Sequence, residues 1–285
     1  MSSMMISSTP WLRRAALAAT GATLAILTGC ASVNTTQSGT VGVDRAQYMS
    51  RLVSEQQLDQ EASQQYGQIV QEARTKNLLD RDAAQVSRVR GISQRLIAQV
   101  GAFRPDAAKW AWEVHVLSTD DVNAWCMPGG KIAVYTGLLD KIKPTDAELA
   151  AVLGHEIAHA LREHARERVS QQMATNLGLQ VLSIATGSSA ASDVGGKLTE
   201  VMFTLPNSRT HETEADRMGV ELAARAGYDP RAAVTLWQKM GAASGGSSPP
   251  EFLSTHPSAS TRISELQATS QQVMPLYEQS SKAAK

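Results

Sequence analysis

Residues 144–168 read PTDAELAAVLGHEIAHALREHARER, and their centre, His155-Glu156-Ile157-Ala158-His159, decides how the chain folds. At 3.6 residues per turn, positions i and i+4 differ by only about 40° around a helix axis, so both imidazoles leave one face. Glu156 sits about 100° away, within reach of a water held between the histidines but not placed as a third ligand. Two histidines and one carboxylate so disposed are what a helix needs to hold zinc and take a proton from water.

The surroundings predict that helix. Thr145 can cap its start and Glu148, three residues on, completes a capping box. Gly154 is the one glycine between Asp146 and Arg168, and Leu149, Val152, Leu153, Ile157, Ala160 and Leu161 recur at helical spacing. The charged run Arg162, Glu163, Arg166, Glu167 and Arg168 reads as the end that meets water. By the same spacing His164 falls about 140° from His159, outside the metal shell.

A catalytic zinc needs a third protein ligand and an open position. Downstream, Ser208-Arg209-Thr210-His211-Glu212-Thr213-Glu214-Ala215-Asp216 offers His211, Glu212, Glu214 and Asp216. On a helix Glu212 and Asp216 share one face, with Ala215 and Gly219 beside them to allow close approach to the histidine helix. Glu212 could then bind zinc while Asp216 accepts the free ring N–H of a ligating histidine. Glu214 points about 200° from Glu212, which suits a solvated face.

The ends bound the context. Arg13 and Arg14 precede the apolar stretch Ala15 to Leu27, followed by Leu27-Thr28-Gly29-Cys30, a secretory signal pattern too short for a membrane span. Its end resembles the bacterial lipoprotein signal, which implies cleavage before Cys30 and lipidation of that residue. Ala31, rather than Asp, after it implies by the same resemblance an anchor in the outer membrane, facing the periplasm. Removing 29 of 285 residues leaves 256, with 25 basic and 27 acidic side chains and a formal charge of −2. That balance carries no basic excess for nucleic acid. Cys126 is then the one thiol left, which excludes an internal disulfide and makes packing its expected role.

Residues 30–43 are Ser/Thr/Gln/Gly-rich and read as a flexible tether. Residues 44–105 read as an N-terminal helical segment, 106–272 as the metallopeptidase domain and 273–285 as a tail. Strands are expected at 112–117, 123–127 and 131–136, with a turn at Pro128-Gly129-Gly130; His115 lies on the first and reads as structural. Residues 173–196 read as a loosely packed helix or a cover. Further helices are expected at 206–226, 231–240 and 260–277. The fold class is α+β, mainly helical, with a small β-sheet against the motif helix.

Taken together, His-Glu-Ile-Ala-His and the later Ser-Arg-x-x-Glu-x-Glu-Ala-Asp resemble the HtpX-like and CAAX-prenyl-protease-type zinc metallopeptidase family. Asn123-Ala124 with Pro128-Gly129-Gly130, Val134 to Leu139, and Thr255-His256-Pro257 with Arg262-Ile263 match it as well, over roughly residues 106–266. The family's transmembrane helices are absent from this sequence, which resembles a periplasmic, lipid-anchored branch. The resemblance implies one Zn2+ held by His155, His159 and Glu212, with Glu156 as general base and Asp216 behind a ligand. It also brings His256 near the metal, either as a donor to the developing oxyanion or as an inhibitory fourth ligand; Tyr135 and Arg262 are weaker candidates.

Gly129, Gly130, Lys131, Ile132 and Ala133 are the expected substrate-binding stretch, where an extended peptide could add as a strand. The implied activity is an endopeptidase for misfolded envelope or outer-membrane polypeptides. The alternative is a non-catalytic zinc-containing lipoprotein chaperone for unfolded outer-membrane proteins, in which Glu156 would have no use.

Overall fold

The computed structural model describes residues 30–186, 195–243, 251–257 and 261–283. The segment read as a signal, residues 1–29, lies outside them, as does 187–194 of the expected cover. Helices run over Glu55–Thr75 (α1), Ala83–Ile97 (α2), Asp146–Leu161 (α3), His164–Thr186 (α4), Gly195–Phe203 (α5), Arg209–Arg225 (α6), Ala232–Ala243 (α7), Glu251–Thr255 (α8) and Arg262–Ala283 (α9). Strands Cys30–Val33 (β1) and Gln47–Ser50 (β2) pair antiparallel; Glu113–Leu117 (β3), Ala124–Met127 (β4) and Lys131–Tyr135 (β5) form a second sheet in the order β3-β5-β4. The fold is α+β and mainly helical. Among the described residues no helix is long and apolar enough to cross a membrane.

Helix α3 is the axis of the core. Its start forms as the sequence predicts: Thr145 Oγ1 accepts from Glu148 N at 3.3 Å while Glu148 Oε2 accepts from Thr145 N at 2.8 Å. Every residue from Leu149 to Leu161 is buried, against β4 on one side and α6, α7 and α2 on others. Helix α6 comes closest, at paired glycines: a Cβ added to Gly154 would lie 2.6 Å from Gly219 O, and one added to Gly219 would lie 2.6 Å from His155 N. Backbone-to-backbone contact there brings the face of Glu212 and Asp216 against the histidines. Cys126 is buried in this core, as expected for a packing thiol.

Several boundaries differ from the sequence expectation. Helix α3 stops at Leu161, because Glu163 adopts a left-handed φ of +51° that no α-helix continues through. Its last carbonyls are capped from afar, Leu161 O by Arg104 Nη1 and Arg162 O by Gln47 Nε2. The charged run beyond does not meet water: Arg162, Glu163 and Glu167 are all buried.

Residues 30–43 are no free tether, since β1 pairs with β2 and Thr36, Val41 and Val43 are buried. Polar contacts hold most of this segment, and its two core valines, Val41 and Val43, are too few to make a stripe that periodicity finds. Residues 44–105 hold β2 before the helices, and 273–283 continue α9, with Val273 fully buried, rather than forming a tail.

Candidate metal centre

His155 and His159 leave α3 one turn apart, Glu212 comes from the first turn of α6, and His256 follows α8. Donor atoms of these four residues lie within 4.8 Å of one another, and all four residues are buried. His155 Nε2 is 3.0 Å from His159 Nε2 and 3.1 Å from His256 Nδ1. Glu212 Oε1 is 3.3 Å from His159 Nε2 and 3.0 Å from His256 Nδ1.

Proton accounting tests whether a metal fits. His155 Nδ1 lies 2.9 Å from Asp216 Oδ1, and a carboxylate only accepts, so the ring's N–H is at Nδ1 and Nε2 carries a bare lone pair. That lone pair faces two further ring nitrogens in a buried space. A cation among three imidazole nitrogens and a carboxylate resolves the conflict, and this N3O donor set fits zinc. Burial alone would push the Glu212 carboxyl up, yet His256 and His155 outweigh it and hold it well below the usual range, as a ligand requires.

Glu156, the next residue on α3, is 3% exposed and its Oε1 has no hydrogen-bond partner. Burial raises its carboxyl above the ordinary range, against the pull of His256 and His155. A buried carboxylate with an open oxygen and raised proton affinity is equipped to take a proton. His256 Nε2 stands 3.4 Å from that oxygen, and the ring stacks on Phe252 with centroids 4.4 Å apart. Of the two roles the sequence leaves open for His256, the placement of Nδ1 among the donors fits a fourth ligand.

Arg262 proves closer to the centre than the sequence suggested. It donates to Glu212 Oε2 at 2.9 Å and Asp216 Oδ1 at 2.7 Å, and its guanidinium lies over Trp237, 3.3 Å from the ring centroid. Tyr135 instead packs with Trp125, accepting its indole N–H at 3.2 Å.

Glu214 is not on a solvated face. It is buried and accepts from His164, Arg162 and Arg45. His164, though no member of the donor cluster, touches it, with Nδ1 2.8 Å from His159 Nδ1. His211, offered by the sequence among the possible third ligands, lies outside the donor cluster: it stacks on His164 at 4.3 Å and contacts Glu167 Oε2 at 3.1 Å. Only a helix break after Arg162 brings His164 back to His159, and nothing local announces that break.

The peptide-binding stretch needs correction. β5 is the central strand, hydrogen-bonded to β3 and β4, so Lys131, Ile132 and Ala133 have no free edge to offer. Lys131 is tied to Ala111 O and Glu113, and Gly130, at φ +82°, leaves room for Trp112. Gly129 does border a cleft that also meets Ala124, Cys126, Glu156, His159 and His256. The strand along that cleft is β4. Tyr135 N donates to Asn123 O at 3.0 Å, so by the alternation of an antiparallel ladder Ala124 and Cys126 turn their N–H and C=O away from β5.

Comparison with known proteins agrees with this chemistry. The profile of Peptidase family M48 matches residues 83–270. The mitochondrial metalloendopeptidase OMA1 of Arabidopsis thaliana is 42% identical over 152 residues, 53% of this chain and 30% of the relative. Its Bos taurus counterpart is 37% identical over 226 residues, 75% of this chain and 42% of the relative. The beta-barrel assembly-enhancing protease of Escherichia coli is 28% identical over 206 residues, 68% of this chain and 40% of the relative. The chain thus spans less than half the length of each of these relatives. With a matching profile over most of its length and a donor cluster that fits zinc, the chain belongs to Peptidase family M48, the metallopeptidases.

Proposed function

We propose that the protein is a zinc endopeptidase that cuts unfolded polypeptide in the bacterial envelope, with His155, His159 and Glu212 as metal ligands and Glu156 as general base. The observation that carries this reading is the buried Glu156 Oε1, which makes no hydrogen bond, beside a donor cluster that fits a cation. Zinc bound there supplies a Lewis acid that polarises the scissile carbonyl and makes water reactive near neutral pH. The chain's own groups do the rest. The outward C=O of Ala124 and the N–H and C=O of Cys126 hold an extended substrate by backbone hydrogen bonds that ignore sequence, which suits unfolded chains, while the N–H of Ala124 is held by Asn123 Oδ1 at 2.9 Å. Glu156 takes the proton of the attacking water and delivers it to the departing amine. Asp216 holds the His155 ring, and Arg262 steadies Asp216 and Glu212 together. His256 is the fourth donor of the resting centre.

The envelope assignment draws support from the Arg13-Arg14, apolar and Leu-Thr-Gly-Cys30 sequence, and from the similarity to the beta-barrel assembly-enhancing protease of Escherichia coli. On this reading the chain belongs to a periplasmic lipoprotein branch, anchored through Cys30 to the outer membrane, and acts on misfolded outer-membrane proteins.

Casein digestion tests the chemistry. Glu156→Gln is expected to lower the rate by roughly 10²–10⁴ while zinc stays bound. Equal inertness of wild type and variant, with zinc retained, would overturn the peptidase reading in favour of a zinc-containing chaperone. The same assay on His256→Ala separates its roles: a faster enzyme marks a fourth ligand that holds the site closed, a slower one an oxyanion donor.

A further inference from the structure

His159 must keep Nε2 bare to act as a ligand, so its ring proton belongs on Nδ1. That atom lies 2.8 Å from Nδ1 of His164, a distance at which two imidazole nitrogens share one hydrogen. His159 therefore donates and His164 Nδ1 accepts. The proton of His164 is then on Nε2, which lies 3.0 Å from Glu214 Oε2, an atom that only accepts. Every hydrogen in the row has one place. His155 reaches its carboxylate directly; His159 reaches its own through a second imidazole.

Glu214 is itself held from the start of the chain. Arg45, in the segment between β1 and β2, donates to its two oxygens at 2.6 and 3.1 Å, and to those of Glu167 at 2.8 and 2.9 Å. Arg162, with no exposed surface, donates from Nε to Glu214 at 3.1 Å. Its other donors go to Asn34 Oδ1, Thr36 Oγ1 and the carbonyl of Arg45, all in the N-terminal segment. Gln47 donates to Arg162 O and Glu167. Two guanidiniums and two carboxylates thus balance, and the balance needs the N-terminal segment in place.

We propose that residues 34–47 clamp the metal centre, Arg45 fixing Glu214, Glu214 fixing His164, and His164 fixing the one tautomer of His159 that can bind zinc. These three are positioning residues that act on the metal through His159, and the inference rests on the reading of His159 as a ligand.

Two measurements on the full chain test it. In the first, zinc affinity is measured by competition with a chromophoric chelator, well below the melting temperature. Arg45→Met and Glu214→Gln are expected to weaken zinc by roughly 10–100-fold, the usual effect of losing an outer partner of a metal ligand, with Arg45→Lys recovering part of the loss. His159→Ala loses the zinc itself. Wild-type affinity in Arg45→Met and Glu214→Gln, with zinc lost in His159→Ala, overturns the clamp and leaves the ligand assignment standing. Wild-type affinity in His159→Ala overturns the ligand assignment and the clamp with it.

The second measurement needs no variant. Histidine ¹⁵N NMR of the zinc-loaded protein is expected to show protons on His159 Nδ1 and His164 Nε2, with His164 Nδ1 bare. A proton on His164 Nδ1 overturns the proposal.

Discussion

The two histidines of α3 differ in what stands behind them. His155 is backed by Asp216 one helix away, and Arg262 of α9 ties Asp216 to Glu212. His159 is backed by His164, then Glu214, then Arg45 and the segment before α1. The supports of His155 all fall within residues 83–270, the stretch that matches the family; those of His159 reach outside it, to Asn34, Thr36, Arg45 and Gln47. One short motif thus places two rings side by side, while distant partners orient them: Asp216 and Arg262 for one, Glu214 and the segment before α1 for the other. Spacing gives proximity; long-range partners give direction.

The sharpest way to break this contrast is to remove the carboxylate on each side. Glu214→Ala leaves Arg162 buried without its carboxylate and His164 without an acceptor, and should cost about 3–5 kcal/mol in urea unfolding. Asp216→Ala should cost less, about 1–3 kcal/mol, because Arg262 keeps Glu212. Equal losses would mean that the two supports are equivalent.

A second substitution acts on both sides at once. Gly219→Ala forces a methyl group against the backbone of His155, and the resulting separation of α3 and α6 should cost about 1–3 kcal/mol and weaken zinc binding. Gly91→Ala, where an added Cβ meets nothing within 4 Å, should instead stabilise α2 by about 0.5–1 kcal/mol.

A pH-dependent effect concerns the cleft near Glu163. Burial, helped by Glu55 and Glu163 against Arg104 and Lys131, raises the Asp59 carboxyl from 3.8 to about 6. The folded chain then holds a proton that the unfolded chain has already released, so stability falls as pH rises from 3.8 to about 6. Asp59→Asn should raise the melting temperature at pH 7.5 and leave it unchanged at pH 3.5, as followed by circular dichroism. A gain of the same size at both pH values would rule out this origin.

Much of the His155 side was legible in the sequence. The capping box at Thr145, the three short strands, and the shared face of Glu212 and Asp216 follow from local spacing, and the small residues Ala215 and Gly219 announce a close approach; that Gly154 meets Gly219 there is visible only in the fold. The His159 side was not legible, for physical reasons. Helical spacing does put Glu214 on the face opposite Glu212, but water does not lie there; the N-terminal segment does. Arg162 and Glu167 read as solvated because their partners, Arg45 and Gln47, are more than a hundred positions away. The segment itself is held by Asn, Thr, Gln and Arg, so no apolar rhythm marks it. Strand order was hidden too. Which of β4 and β5 has a free edge depends on the path between them, and only the ladder shows that β5 is enclosed.

The stitching of residues 40–45 to α6 and α9 has a consequence for how the protein comes into being. Gln272 donates to the carbonyl of Thr40 across 232 positions, Val41 to Glu221 across 180, and Arg45 to Glu214 across 169. Contacts so distant in sequence form late and slowly. A chain leaving the ribosome exposes its histidine helix some fifty residues before Glu212 emerges, and Arg45 waits far longer for its carboxylates. The centre is therefore complete only once Glu212, Glu214 and His256 have all emerged, and a nascent chain that stops short of them is spared its own chemistry.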